Sequence, residues 1–157
     1  MSSDRLSRRV LLLGLFGLAG CGFTPIYGSG TVQRGAFSFE ADKTVIGFRL
    51  AGRLAERLGA AQSPKYVIKT TIRTSQRAAA ITEEGDTSRL NIIGTATWSL
   101  IDIAAGTQAA TGEVQSFTSY AATGSTVATQ TARDDAGDRL AVILADLIVT
   151  RVLVALS

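Results

Sequence analysis

Three consecutive stretches in which apolar and polar residues alternate limit the folds open to this chain more than any other feature of its sequence. They cover residues 65–73, 89–103 and 107–120. A period of two places every second side chain on the same face of a β-strand, so each stretch predicts a strand. Short segments at 83–86 and 104–106 separate the stretches and are typical of turns. The three stretches therefore predict an antiparallel β-meander.

The patterns on either side of the meander complete a fold prediction. Residues 36–40 predict a short first strand, and Asp42 or Thr44 can cap a helix that ends near Leu58. From about residue 127 the pattern becomes helical and continues to about 156. The order β-α-β-β-β-α predicts an α+β two-layer sandwich, with two helices on one face of a small mixed, mainly antiparallel four-stranded sheet. The other sheet face is expected to be rich in threonine and open to a partner.

Residue spacing assigns a buried face to each predicted helix. In the first helix this face comprises Phe48, Ala51, Gly52, Leu54, Ala55 and Leu58. In the second it comprises Leu140, Ile143, Leu144 and Leu147. The second helix is hydrophobic, but Asp146 and Arg151 would be costly inside a membrane. We therefore expect an amphipathic helix that packs on the domain.

The N-terminal residues have the pattern of a lipoprotein signal. Arg5, Arg8 and Arg9 precede an apolar run at 10–19, which is too short to span a membrane but suits a cleaved signal peptide. Small residues lead directly to Cys21, the single cysteine of the chain. We expect cleavage before Cys21 and acylation of its side chain and new N-terminus. The paired arginines leave both Sec and Tat export open.

These signals predict three segments. Residues 1–20 are expected to be a cleaved signal peptide, 21–35 a lipidated tether, and 36–157 a single periplasmic α+β domain. A diacylglyceryl group and an N-acyl chain on Cys21 would hold the protein on a membrane, because each buried methylene contributes about 0.8 kcal/mol. No other cofactor is expected.

Composition argues against most catalytic chemistry. The 157 residues include no histidine and one cysteine, so a histidine-based triad and any histidine or cysteine metal site are excluded. Removal of residues 1–20 leaves 13 basic and 12 acidic residues, and this near-neutral balance gives no support to nucleic-acid binding. A carboxylate-based hydrolase using Glu83, Glu84 and Asp86 stays an alternative, although acidic residues in a turn are typical of solvated loops. We expect a protein that is not an enzyme and binds no metal.

One segment resembles a known family. Residues 21–28 read Cys-Gly-Phe-Thr-Pro-Ile-Tyr-Gly. They are similar to the start of mature LptE lipoproteins, which assemble lipopolysaccharide, and above all to the alphaproteobacterial members. Ile26 stands where those proteins have leucine. Trp98 to Asp102, Ser119-Tyr120 and Asp134-Asp135-Ala136 also fit the later elements of the family.

The resemblance implies a fold, a partner and a task. Members of the family place two helices on a four-stranded sheet. They pair with the outer-membrane β-barrel LptD, assist its assembly and help to insert lipopolysaccharide into the outer leaflet. The resemblance thus implies a lipid-anchored protein on the periplasmic side of the outer membrane.

Candidate binding residues follow from charge. Arg73, Arg77 and Arg89 flank the first predicted hairpin, and we expect them to bind lipopolysaccharide, because arginine pairs with phosphate through two hydrogen bonds. Two further sets have weaker support as binding elements: the helix arginines Arg49, Arg53 and Arg57, and the N-terminal pair Pro25 and Tyr27. An exposed charged helix face and a stiff spacer would explain these two sets equally simply.

A second function stays open at this stage. A generic periplasmic binding lipoprotein, such as an auxiliary subunit of an ABC-type lipid transporter, would carry the same lipoprotein signal. It would differ in having inner-membrane partners and an apolar ligand pocket.

Overall fold

The computed structural model describes residues 35–81 and 87–157 and confirms the predicted element order. Residues 1–34 and 82–86 lie outside the described part. The elements are β1 (Phe37–Ala41), α1 (Val45–Leu58), β2 (Tyr66–Ile81), β3 (Thr87–Asp102), β4 (Thr107–Ala121) and α2 (Thr126–Leu156). The fold is α+β, with two helices and an open four-stranded mixed sheet, as the sequence predicts.

The sheet has the strand order β1-β2-β3-β4. β1 and β2 are parallel, because α1 carries the chain back to the starting end of the sheet, and the remaining pairs are antiparallel. β2 extends to Ile81, well beyond the predicted end at residue 73. Its second half carries mostly small and polar side chains and therefore has little apolar signal, but it pairs with β3 along its length.

The core lies between the helices and one face of the sheet. Every second residue of β3 faces it, and Ile92, Ala96 and Leu100 are all buried. Gly94 belongs to the same face, and α2 packs closely over it. The fully buried large side chains are Phe37, Leu50, Leu54, Leu58, Ile68, Leu100, Leu140, Leu144, Ile148, Val149 and Val152.

α1 begins and ends as its sequence predicts, but it buries a different face. Thr44 is the N-cap, and its hydroxyl oxygen accepts a 3.1 Å hydrogen bond from Gly47 N. Gly59 ends the helix with a φ of 76°, a conformation that favours glycine. The buried residues are Gly47, Leu50, Leu54 and Leu58. Leu54 and Leu58 are buried as predicted, whereas Phe48 is 67% exposed and Gly52 is also exposed, so the buried face is centred about a quarter turn from the predicted one.

α2 packs on the domain through one face, as expected, but its outer side also carries apolar residues, so it is less amphipathic than predicted. Ser125 is its N-cap and accepts a hydrogen bond from Ala128 N. Leu140 and Leu144 are buried as expected, whereas Ile143 and Leu147 are 38% and 40% exposed. In the part of the chain that the structure describes, no helix is long and apolar enough to cross a membrane.

Candidate functional site

The sheet face opposite the helices is uncovered and carries the predicted arginines. On β2 the buried positions are even-numbered, so Arg73 and Arg77 lie on the opposite, open face, where both are exposed. Arg89 on β3 lies on the same open face and is also exposed. The structure therefore brings all three predicted arginines to one surface.

Strand register determines which of these arginines are neighbours. Arg77 is the partner of Asn91, and Arg89 lies two residues before Asn91 on the same strand. Such diagonal neighbours have Cα atoms about 7–8 Å apart. Arg73 is the partner of Thr95 and lies about 13 Å from Arg77 along the strand. No salt bridge joins any of the three to a carboxylate among residues 35–81 and 87–157.

Apolar side chains lie on the open face close to Arg77. Phe117 on β4 is the register partner of Ile93 on β3, and its ring is 60% exposed. Both residues line a shallow depression that also contains Arg77 and Asn91. Ser119 Oγ donates a 2.6 Å hydrogen bond to Asn91 Oδ1, which fixes the amide beside the cations. The surface can thus contact an anionic group and an apolar chain at the same time.

Phe117 is the site residue that sequence reasoning missed. Its strand has a weak apolar pattern, so the prediction assigned no role to an aromatic residue on the outer face. The alternation pattern, applied to β4 as well as β2, would have identified Phe117. Odd-numbered residues lie on the open face, and Phe117 is odd-numbered and lies opposite Ile93.

The arginines of α1 are engaged in ion pairs with α2. Arg49 Nη2 lies 3.1 Å from Asp138 Oδ2. Arg53 Nε and Arg57 Nη1 lie 3.1 and 2.9 Å from the same Asp146 oxygen. The side-chain hydrogen bond to Asp146 raises the pKa of Arg53, with a smaller contribution from Glu56. These side chains join the two helices through ion pairs.

Several predicted residues lie outside the described residues. Cys21, Pro25 and Tyr27 are among residues 1–34, and the acidic turn with Glu83, Glu84 and Asp86 falls within 82–86. In the two described ranges, no group of three or more acidic, cysteine or histidine side chains is placed to hold a metal ion.

The fold is shared with solved bacterial lipoproteins. A putative lipoprotein from Caulobacter crescentus CB15 is 19% identical, with a TM-score of 0.65 over 78% of this chain and 91% of that one. Rare lipoprotein B from Shewanella oneidensis is 10% identical, with a TM-score of 0.57 over 74% and 92%. Lipoprotein B from Nitrosomonas europaea is 14% identical, with a TM-score of 0.56 over 81% and 87%. These similarities show the fold, a two-layer α+β domain that several bacterial lipoproteins share.

The family follows from the sequence itself. The model of the LptE lipopolysaccharide-assembly family matches residues 31–152, which is most of the chain. The chain belongs to the LptE family, as the resemblance at its N-terminus predicts. No curated protein sequence matches it.

Proposed function

We propose that this protein is an outer-membrane lipoprotein that pairs with the LptD β-barrel, assists its assembly and takes part in placing lipopolysaccharide in the outer leaflet. Acylation at Cys21 would anchor it on the periplasmic side. Membership of the LptE family supports the task. The open sheet face supports direct contact with the lipid.

One observation carries the lipid-binding part of the proposal. Arg77 and Arg89 are diagonal neighbours on an uncovered face, and Arg77 shares a shallow depression with the exposed side chain of Phe117. Lipopolysaccharide combines anionic groups with acyl chains, and arginine binds a phosphate or a uronic acid carboxylate through two parallel hydrogen bonds. Arg73, further along the same strand, would contact a second anionic group.

The charge distribution is compatible with a position inside a large barrel, whose lumen is polar. The open face is lined largely by hydroxyl and amide side chains, with one ion pair between Lys69 and Glu40 at 3.0 Å. The cations of α1 are already neutralised by α2. Of the cations on the open face, Arg73, Arg77 and Arg89 would then be the ones available to pair with anionic groups of the lipid or the barrel.

Charge reversal tests the lipid site. The variant with Arg73→Glu, Arg77→Glu and Arg89→Glu is expected to bind lipopolysaccharide at least tenfold more weakly at low salt. The difference should shrink at high salt, because screening weakens exposed charge interactions. A control variant reverses three exposed cations away from the open face, Lys43, Arg133 and Arg151. Equal binding by the two variants would refute the site.

Affinity purification tests the partner. The lipidated protein, extracted from its own membranes, is expected to retain a large β-barrel that mass spectrometry identifies as LptD. Sucrose-gradient fractionation is expected to place both in the outer membrane. Recovery in the inner membrane with transporter subunits and without a barrel would favour the ABC-transporter alternative instead.

A further inference from the structure

β4 forms a long outer edge of the sheet. It has 15 residues, and β3 pairs with one side of it only. Ala122 N donates a 3.0 Å hydrogen bond to Ser88 O just beyond the strand end, so even-numbered residues turn their backbone groups towards β3. The odd-numbered residues Thr111, Glu113, Gln115 and Phe117 therefore direct their N–H and C=O groups outwards.

This edge lacks the lysine and proline residues that often prevent a strand from pairing with another chain. β4 contains no lysine, arginine or proline, and Glu113 is its one charged residue. The opposite edge differs, because β1 has only five residues and the Asp42 carboxylate accepts the next outward amide, Ile72 N, at 2.8 Å. The part of β2 beyond that point carries cations on its open face.

A row of apolar side chains on α2 lies beside the β4 edge. Arg139 Nη2 donates a 3.3 Å hydrogen bond to Ser119 O, one of the outward carbonyls, so this side of α2 overhangs the strand. Ile143, Leu147 and Val154 follow Arg139 on the same side of the helix, because their spacing of 4, 8 and 15 residues keeps them on one face. They are 38%, 40% and 69% exposed.

We propose that the β4 edge pairs with an extended amphipathic segment of the barrel partner while that barrel is still incomplete. The inference rests on the proposed function. A strand added at β4 would place alternate side chains against the apolar row of α2 and the others beside the polar open face. A barrel strand has this alternation. It has free backbone groups only before the barrel closes.

Charge favours a different chain over a second copy of this one. If two copies of the protein paired symmetrically through antiparallel β4 strands, centred near the middle of the strand, their Glu113 carboxylates would be close neighbours on one face. Like charges at such positions destabilise a sheet. A strand of another sequence can place a lysine or arginine opposite Glu113. The occupant is therefore expected to be apolar towards α2 and to carry a cation on its other face.

Two substitutions at Gln115 separate strand pairing from other effects. Gln115→Pro removes an outward N–H and leaves the ladder with β3 intact, since proline is tolerated at such edge positions. Gln115→Ala keeps the N–H. Both variants lose the same 3.2 Å side-chain hydrogen bond to Thr95 Oγ1, so they form a matched pair.

The assay is refolding of urea-unfolded LptD from the same organism in detergent micelles, with folded barrel measured by heat-modifiable gel migration. Wild type and Gln115→Ala are expected to raise the folded yield equally, and Gln115→Pro to give at least a fivefold smaller increase. Equal effects of the two variants would overturn strand pairing alone. A wild-type protein without effect would overturn the assembly role and, with it, this inference.

Pulsed amide exchange on the wild-type protein tests the same contact without any substitution. The amides of Glu113, Gln115 and Phe117 are expected to become at least tenfold more protected during barrel refolding, while the even-numbered amides between them are protected throughout. No gain in protection would contradict the inference. Protection that rises with protein concentration in the absence of barrel would identify a second copy as the occupant and also overturn it.

Discussion

Gly94 lies where α2 approaches the sheet most closely, and its replacement by alanine should loosen that packing. An added Cβ would lie 2.9 Å from Leu140 Cδ2 and 3.0 Å from Leu144 Cδ1. Both leucines are fully buried, so either side chain would have to shift within the packed core. Overpacking of this kind costs about 1–3 kcal/mol. For a domain of this size, that loss corresponds to a Tm lower by roughly 4 °C per kcal/mol.

The same substitution at Gly52 provides the control for Gly94. Gly52 lies on the exposed side of α1, and an added Cβ meets nothing within 4 Å. Gly52→Ala should therefore raise the free energy of unfolding by about 0.5–1 kcal/mol, because alanine favours helix.

Urea unfolding followed by the fluorescence of Trp98, the single tryptophan, measures both variants. Trp98 is 5% exposed, so its emission reports loss of the core. A Gly94→Ala protein as stable as wild type would show that α2 is free to move away from the sheet without cost. That result would refute the packing argument.

Three other substitutions test separate parts of the structure. Asp146→Asn removes two ion pairs between the helices. It should lower the free energy of unfolding by up to about 1 kcal/mol at low salt and by less in 1 M NaCl. Urea titrations at both salt concentrations measure the difference. Thr118→Val removes a buried 2.7 Å hydrogen bond to a carbonyl of α2 and should lower the free energy of unfolding by about 1 kcal/mol in the same titration. Thr97→Val, at an exposed position, should lower it by less. Phe117→Ser should weaken lipopolysaccharide binding severalfold in a vesicle-free binding assay and leave the unfolding midpoint unchanged, because its ring is 60% exposed. Unchanged binding would exclude the ring from the site.

Strand faces could be predicted from the sequence because alternation is a local signal. The buried or half-buried positions Tyr66, Ile68, Thr70 and Ile72 are the predicted face of β2. The end of that strand could not be predicted, since its last residues are held by pairing with β3 and carry little apolar signal. The correct strand face and the incorrect strand end have the same cause, because the alternation pattern indicates burial and contains no information on backbone pairing.

Helix faces were predicted less well. Residue spacing placed Phe48 on the buried face together with Leu54 and Leu58, but the buried stripe consists of Gly47 and the leucines at 50, 54 and 58. The ion pairs of α1 with α2 also could not be predicted from local sequence patterns. Arg53 and Asp146 are 93 residues apart in the chain, and only the packing of the two helices brings them together.

The candidate site was predicted in part for a related reason. The sequence places Arg73, Arg77 and Arg89 around one hairpin, but their common face depends on the continuation of β2 past residue 73 and on its register with β3. The neighbouring Phe117 belongs to another strand, so its position beside Arg77 depends on the register of β4 with β3.

The parallel pairing of β1 with β2 also determines how far the arginines of the open face lie from the start of β1. β1 begins beside Tyr66, at the end of the sheet where β3 finishes and β4 starts, whereas Arg77 and Arg89 lie near the other end. At about 3.4 Å per residue, β3 measures roughly 50 Å from Thr87 to Asp102. A chain that is held through the residues preceding β1 therefore presents its guanidinium groups most of a sheet length away from the point of attachment. Lengthening the three long strands by a pair of residues each would move the cations outward by about 7 Å without changing their mutual arrangement.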